Sequence, residues 1–259
     1  MAKIPLSIQL YTLRDLTATD LPGVLRQLKQ IGYAGVELAG YGNLKTAADV
    51  RKAVADAGLV ISGSHVGIDG LLTDPGKFAD EQHALGNVHV ICPWAPLDGK
   101  SEADYAEFAR KLDQAGKAAQ EHGLVLAYHN HSFEHKPLRR GSDGKWIDGL
   151  DVIYGTASPE YVKAEIDVFW TQHGGHNPAR YVEKLGSRCI LLHLKDMEVG
   201  PDRRFANVGD GILDFPAIIA AGQKVGVRWY VVEQDNCYGQ NPLDAARNSF
   251  ENLKKMGYV

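Results

Sequence analysis

The chain has 259 residues, of which 44% are hydrophobic and 23% are charged, and its formal net charge is −4. This composition supplies enough apolar material for a sizeable core and excludes the disordered and fibrous classes of protein. The acidic balance, with charges of both signs interspersed, disfavours nucleic-acid binding, and no run of about 20 apolar residues predicts a membrane span.

The N-terminal residues Met1 to Pro5 lack the apolar run and cleavage site of a signal peptide, so we expect a cytoplasmic protein. After them, short apolar or β-branched runs alternate with longer helical patterns. The predicted strands cover residues 6–11, 35–38, 60–65, 88–92, 124–129, 162–167, 189–195 and 229–233. The predicted helices cover residues 21–30, 47–57, 75–85, 102–121, 178–185, 215–225 and 242–256.

This alternation indicates a parallel sheet with crossover helices. The length is close to the roughly 250 residues of a typical (β/α)₈ barrel. No glycine-rich phosphate-binding turn follows the first strand, which carries Gln9 and Tyr11 instead, so a doubly wound sheet is disfavoured. We therefore predict an α/β (β/α)₈ TIM barrel in one domain, 1–259, with long loops at 136–158 and 197–214 that border the active site.

Polar side chains end nearly every predicted strand. They are Gln9, Tyr11, Glu37, His65, Trp94, His129, His131, Asp167, His193, Lys195 and Glu233. A barrel brings the ends of its last four strands into one arc, where His129, Asp167, His193 and Glu233 can surround a single ion. This mixed nitrogen and oxygen set suits Mn²⁺, Zn²⁺, Co²⁺ or Fe²⁺ better than Ca²⁺. A hydrogen-bonded network without metal is the alternative.

Several segments together resemble one family. They are LAYHNHSFE at 126–134, EIDVFW at 165–170, LHLKD at 192–196, VGDG at 208–211 and VEQD at 232–235. In this order and spacing they are similar to the sugar phosphate isomerase/epimerase family, whose fold is the xylose isomerase-like TIM barrel. The resemblance implies one divalent metal held at His129, Asp167, His193 and Glu233.

Many members of that family carry glutamate where this chain has His129, and they exchange protons between two glutamates. The substitution puts the two-glutamate mechanism in doubt here. His131 shares a strand face with His129, and its ordinary pKa near 6.5 suits acid–base catalysis. We therefore predict His131 and Glu233 as the catalytic pair; the alternative is that His131 binds the metal and His129 does not.

Four further residues are predicted to contact a sugar substrate: His65, Trp94, Glu134 and Lys195. Lys195 is equally compatible with a salt bridge to Asp196 or Glu233, and Glu134 with a solvated loop. The run from His173 to His176 contains two glycines and precedes a helix start, so we interpret it as a loop that shapes the pocket rather than a metal site.

The leading functional hypothesis is a metal-dependent isomerase or epimerase that removes a proton next to the carbonyl of a keto sugar. A lyase or dehydratase acting on a keto-inositol or 3-keto-glycoside is close behind, because the same proton abstraction can end in elimination. A non-catalytic sugar-binding protein is the alternative of a different class. A barrel endonuclease would need more metal ligands and a basic groove. The predicted partner is a small sugar, with homo-oligomerisation left open.

Overall fold

The computed structural model describes residues 3–258; Met1, Ala2 and Val259, at the ends of the predicted domain, lie outside the described residues. Within that range, eight parallel strands close into a barrel in which each strand pairs with the next barrel strand along the chain and the last pairs with the first. Closure is visible in the first strand, where Leu6 lies opposite Tyr230 and Ser7 lies opposite Gly35. The predicted TIM barrel is confirmed.

Strands and helices are numbered here in chain order. The barrel strands are β1 (Leu6–Gln9), β2 (Gly35–Leu38), β3 (Val60–His65), β4 (His89–Cys92), β5 (Val125–His129), β8 (Val162–Asp167), β9 (Cys189–Leu194) and β12 (Trp229–Val232). Short antiparallel pairs are formed by β6 (Pro137–Arg140) with β7 (Trp146–Asp148) and by β10 (Asp196–Met197) with β11 (Phe205–Ala206). The helices are α1 (Arg14–Ile31), α2 (Ala47–Asp56), α3 (Asp69–Thr73), α4 (Pro75–Leu85), α5 (Glu102–Glu121), α6 (Gly149–Thr156), α7 (Val168–His173), α8 (Pro178–Leu185), α9 (Phe215–Val225) and α10 (Pro242–Lys255).

Most helices begin where the sequence supplies a capping side chain. Ser101 and Asp104 form a capping box at the start of α5, and Asn177 and Asn241 cap helices whose first residue is proline. The predicted start of the first helix at residue 21 corresponds to a break inside α1. There Asp20 has non-helical angles and its carboxylate accepts the backbone N–H of Gly23.

The region from 136 to 158, predicted as a loop, contains the β6–β7 hairpin and helix α6. This short helix buries most of its length, including Leu150, Val152, Ile153 and Tyr154, so its sequence lacks the polar positions that reveal a surface helix. Its start is nevertheless capped, by the Asp148 side chain. The stretch is a long connection between two barrel strands, as predicted, but it contains a hairpin and a helix that the sequence analysis did not predict.

The core fills the barrel and the layer between strands and helices, and it includes one buried arginine. Arg188 donates to the backbone carbonyls of Val162, Ala157 and Tyr154, the first two at 2.8 and 2.7 Å. These carbonyls belong to α6, its C-terminal turn and β8, so one guanidinium connects three consecutive segments of the chain. Among the helices of residues 3–258, none is both long and apolar enough to cross a membrane.

Replacement of Arg188 by methionine should lower the free energy of unfolding by about 3 kcal/mol, because three buried carbonyls lose charged donors. Thermal unfolding followed by circular dichroism measures the effect. The matched control is Arg139→Met, which removes an exposed ion pair with Glu102 and should change stability by less than about 1 kcal/mol. Equal melting temperatures for the two variants would contradict the assigned role.

Candidate active site

The polar strand ends meet at one mouth of the barrel, around a cavity of about 410 Å³. One side of its wall comes from the ends of the first four barrel strands and includes Tyr11 and Trp94. The other side comes from the later strands and includes His131, Lys195 and Glu233. A larger hollow of about 740 Å³ lies elsewhere, and none of the predicted site residues lines it.

Two carboxylates come from the ends of later barrel strands, Asp167 at the end of β8 and Glu233 after β12; we call them the outer carboxylates, and Glu233 lines the cavity. Lys195 lies between them, with its Nζ 3.0 Å from Asp167 Oδ2 and 2.6 Å from Glu233 Oε2. The same ammonium is 2.7 Å from Asp235 Oδ1. His193 Nδ1 reaches Glu233 Oε2 at 2.8 Å. Lys195 thus pairs with Glu233, one of its two predicted partners, and not with Asp196.

Two more carboxylates, Glu37 and Glu165, lie deeper in the barrel and are fully buried; we call them the inner carboxylates. Three imidazole nitrogens surround Glu165 Oε2: His65 Nε2 at 2.8 Å, His129 Nδ1 at 3.0 Å and His193 Nε2 at 3.1 Å. Glu37 Oε2 is 2.7 Å from His193 Nε2 and 3.1 Å from His65 Nε2. The inner carboxylates therefore accept hydrogen bonds from three rings at once.

Burial opposes charge on all these groups, and their pKa values depend on which partners overcome it. Against burial, the inner carboxylates raise the pKa of His65 to about 9 and that of His193 well above its ordinary value. Burial and the neighbouring His193 hold the pKa of His129 well below the ordinary value. Asp167, Glu233 and Asp235 raise the pKa of Lys195 well above its ordinary value, so it stays an ammonium.

The inner carboxylates also fix which ring nitrogens face the outer carboxylates. Because they accept from His129 Nδ1 and His193 Nε2, the second nitrogen of each ring, His129 Nε2 and His193 Nδ1, points toward the outer carboxylates. A cation there would replace the proton on His193 Nδ1 and leave Nε2–H donating inward. Metal-binding histidines usually have this arrangement, with a carboxylate behind the ring.

The residues present fit a divalent metal. One ligand atom each from Asp167, His193 and Glu233 can be chosen so that all three lie within 4.8 Å of one another. Asp167 Oδ2 is buried and accepts no hydrogen bond of good geometry from any residue between 3 and 258. His129, the fourth predicted ligand, has its Nε2 3.7 Å from that oxygen and its Nδ1 on Glu165. Three predicted ligands thus form one group, and His129 lies between this group and the inner carboxylates.

His131, the predicted base, lines the cavity, with its ring 5.2 Å from that of His129 and 5.5 Å from that of Trp170. Its Nδ1 is buried and meets no hydrogen-bond partner in the described part of the chain. Burial and the Lys195 charge lower the pKa of His131 to about 4. The ring is therefore neutral at pH 7 and can accept a proton, although at this pKa it is a weaker base than the ordinary histidine assumed from the sequence.

The four predicted substrate contacts are placed differently. His65, Trp94 and Lys195 line the cavity, and Trp94 is largely exposed at its mouth. Glu134 is fully buried and accepts from the Tyr128 hydroxyl at 2.6 Å and the His131 backbone N–H at 2.9 Å. The structure does not bring Glu134 to the cavity wall; its contacts hold the backbone at His131.

Glu165 was not predicted as a site residue, because it lies two positions before the end of its strand, which is Asp167. The period of two along a strand places Glu165 on the same barrel-facing side, and this signal was available. Asp235 was present in a matching segment but was assigned no contact. Its approach to Lys195 depends on the course of the loop after β12, which a local pattern does not reveal.

The loop after β10 is held by the buried Asp196 side chain, which accepts from the backbone N–H groups of Met197, Gly209, Gly211 and Leu213 at 2.8 to 3.1 Å. A Cβ at Gly211 would lie 2.2 Å from the Met197 carbonyl oxygen, so only glycine fits. These bonds organise the predicted long loop directly after Lys195.

Replacement of Lys195 by methionine should destabilise the metal-free protein by about 3 kcal/mol, because three carboxylates lose their shared partner. Thermal unfolding in the presence of a chelator measures this. Lys52→Met is the matched control, since Lys52 forms an exposed ion pair with Asp56 and should contribute under about 1 kcal/mol. A Lys195→Met protein as stable as the parent would show that the ammonium is not needed to balance the site.

Known proteins are similar in sequence to this chain. The profile of the family described as xylose isomerase-like TIM barrel matches residues 25–256. The rhizopine catabolism protein MocC of Rhizobium meliloti is 25% identical over 278 residues, which cover 92% of this chain and 82% of that protein. An inosose dehydratase of Bacillus cereus (strain AH820) is 26% identical over 170 residues, 58% of this chain and 52% of the dehydratase, so the match spans about half of that enzyme.

Solved structures agree with the fold. A sugar phosphate isomerase/epimerase from Parabacteroides distasonis superposes with a TM-score of 0.86 and 25% identity, covering 100% of this chain and 96% of that one. An L-ribulose 3-epimerase, at 16% identity, superposes with a TM-score of 0.70 over 100% of this chain and 95% of its own, which shows the shared fold alone. With the profile matched over residues 25–256, this chain belongs to the xylose isomerase-like TIM barrel family.

Proposed function

We propose that this protein is a divalent-metal-dependent isomerase or epimerase that removes a proton next to the carbonyl of a keto sugar or sugar derivative. The observation that carries the proposal is the arrangement of Asp167, His193 and Glu233 beside a cavity whose wall also contains His131 and Lys195. The sugar phosphate isomerase/epimerase from Parabacteroides distasonis, at 25% identity over the whole of this chain, supports this reaction class.

The metal would be held by Asp167, His193 and Glu233, with His129 as the fourth predicted ligand. When bound, a divalent cation of the Mn, Zn, Co or Fe type supplies Lewis-acid polarisation of an adjacent carbonyl. Lys195 adds a fixed positive charge at the same wall, where negative charge develops on a substrate oxygen as the proton leaves. Trp94 offers an exposed aromatic face at the cavity mouth, suited to the apolar face of a sugar.

His131 is the group we assign to proton removal. Its ring lines the cavity, is neutral at pH 7 and has a buried nitrogen without a protein partner among residues 3–258. Glu134 accepts the His131 backbone N–H and thereby fixes the position of this residue. Glu233, the predicted partner of His131, is engaged by His193 and Lys195, so we assign it primarily to cation binding.

A dehydratase is the second candidate, and the inosose dehydratase match favours it specifically. Proton removal next to a carbonyl leads to elimination when a hydroxyl lies β to the carbanion, and the same His131 can serve that outcome. Product analysis distinguishes the candidates, because elimination forms an unsaturated ketone that absorbs in the ultraviolet, whereas epimerisation keeps the formula of the substrate.

Incubation of the metal-loaded protein with keto sugars and keto-inositols in D₂O should exchange one substrate C–H for deuterium, as followed by NMR. His131→Asn should slow this exchange by about 10²- to 10⁴-fold, the usual contribution of a general base, without changing the bound metal. Tight sugar binding with no exchange for any candidate would instead identify a sugar-binding protein.

The metal site is tested by metal analysis of purified protein. His193→Ala and Glu233→Ala should each lower the divalent-metal content strongly, because each removes a central ligand. His83→Ala, which alters an exposed histidine on α4, is the control and should retain the metal content of the parent. Unchanged metal in both ligand variants would rule out this centre.

The inner carboxylates are tested by Glu165→Gln. The amide can no longer accept hydrogen bonds at both of its terminal atoms, so the orientation and basicity of His129 and His193 change. We expect metal affinity to fall by about 10- to 100-fold, as is typical when a carboxylate behind a ligating histidine is lost. Competition with a chromophoric chelator measures the affinity; an affinity equal to that of the parent would remove Glu165 from this role.

A further inference from the structure

A second cluster of metal-binding side chains lies outside the cavity. His135 ends a 3-10 helix that follows β5, Asp148 ends β7 and caps α6, and His176 lies between α7 and α8. His135 and Asp148 are buried, whereas the His176 side chain is 40% exposed. Three separate segments of the chain therefore contribute one side chain each to the same point.

The two distances from Asp148 to the histidines match those between ligands of a tetrahedral ion. Asp148 Oδ2 is 3.3 Å from His135 Nδ1 and 3.3 Å from His176 Nε2, and all three atoms lie within 4.8 Å of one another. Two ligands on a tetrahedral zinc with bonds of about 2.0 to 2.1 Å are separated by roughly 3.3 to 3.4 Å. Hydrogen bonds from imidazole to carboxylate are typically shorter, at about 2.7 to 2.9 Å.

The loop that carries His176 is shaped to bring this ring over His135. A Cβ at Gly174 would lie 2.6 Å from the His135 Cβ, so the chain crosses the histidine at a distance that only glycine permits. Gly175 then has φ +89°, a left-handed conformation, and reverses the chain direction. The two glycines of the segment from His173 to His176 thus place its second histidine against His135, with ring centroids 4.7 Å apart.

We propose that His135, Asp148 and His176 bind a second divalent cation of the zinc type, with its fourth coordination position facing solvent beside His176. Two imidazoles and one carboxylate suit Zn²⁺ or Co²⁺, whereas Ca²⁺ and Mg²⁺ prefer sets made of oxygen ligands. The sequence interpretation of this loop considered only its own two histidines. The other two ligands come from His135 and Asp148, which the fold brings to it.

This second cation would connect the loops that follow β5, β7 and α7. It is separate from the barrel site but adjacent to it through Asn130, whose Oδ1 accepts the Asp167 backbone N–H at 3.0 Å. The Asn130 amide nitrogen is 3.4 Å from His135 Nε2 and 3.3 Å from Thr171 Oγ1. A cation on His135 Nδ1 would leave the proton on Nε2, so the Asn130 amide nitrogen would no longer donate to that ring, and the cation would not itself touch a substrate in the cavity.

The experiment is zinc binding in a His193→Ala background, which removes the barrel site. Three proteins are compared: the His193→Ala protein itself, the same protein with His176→Asn added, and the same protein with the control substitution His83→Asn added. The His193→Ala protein and the His83→Asn control should each bind one zinc per chain, measured after dialysis. Zinc at 100-fold above its Kd should also raise their melting temperatures by roughly 5 to 10 °C. The His176→Asn protein should show neither effect.

Equal zinc content and equal thermal shifts with and without His176→Asn would overturn the proposal, and so would an absence of zinc from all of these proteins. In either case, a proton shared between Asp148 and the imidazoles accounts for the cluster. If the His193→Ala background fails to fold, the same comparison is made in the parent, where His176→Asn should lower the zinc content by one ion per chain. The outcome is independent of the proposed function, because no substrate enters the measurement and His176→Asn leaves every proposed ligand of the barrel site in place.

Discussion

The burial of Glu37 and Glu165 inside the barrel is the constraint on which the rest of the site depends. Two carboxylates at 0% exposure would be very costly alone, and here the imidazoles of His65, His129 and His193 compensate them. The same contacts orient the rings of His129 and His193, so that the second nitrogen of each ring faces the outer carboxylates. The contacts that compensate the buried charges therefore also position the proposed ligands. No loop is required to hold the rings in place.

Lys195 performs a related task one layer further out. Its ammonium balances Asp167, Glu233 and Asp235 and remains beside the proposed cation position rather than in solvent. The site therefore combines a fixed cation with a set of excess carboxylates. A divalent ion at the proposed position would lower the remaining negative charge, and such a balance would suit the proposed chemistry, in which a substrate oxygen becomes negative.

Much of the fold could be predicted because the strands are short, apolar and regularly spaced, and because glycine and capping residues mark the helix ends. The helix at Gly149–Thr156 was not predicted because it is buried on most sides and has no polar face. In the site, strand-end side chains such as His193 and Glu233 could be predicted from the periodicity of the strands. The contacts of Glu134 with Tyr128 and His131, and the meeting of His176 with Asp148, depend on how loops cross, which spacing along the chain does not encode.

The two sides of the cavity wall differ in what they carry. The proposed ligands Asp167, His193 and Glu233 come from the last three barrel strands, whereas Tyr11 and Trp94 follow the first and fourth. Tyr11 and Trp94 can therefore change in size and polarity without removing a proposed ligand, whereas His65 on the same side compensates the inner carboxylates. For protein engineering, randomising positions 11 and 94 is a route to new substrate preferences that keeps the reaction machinery intact, and natural divergence in substrate could follow the same route.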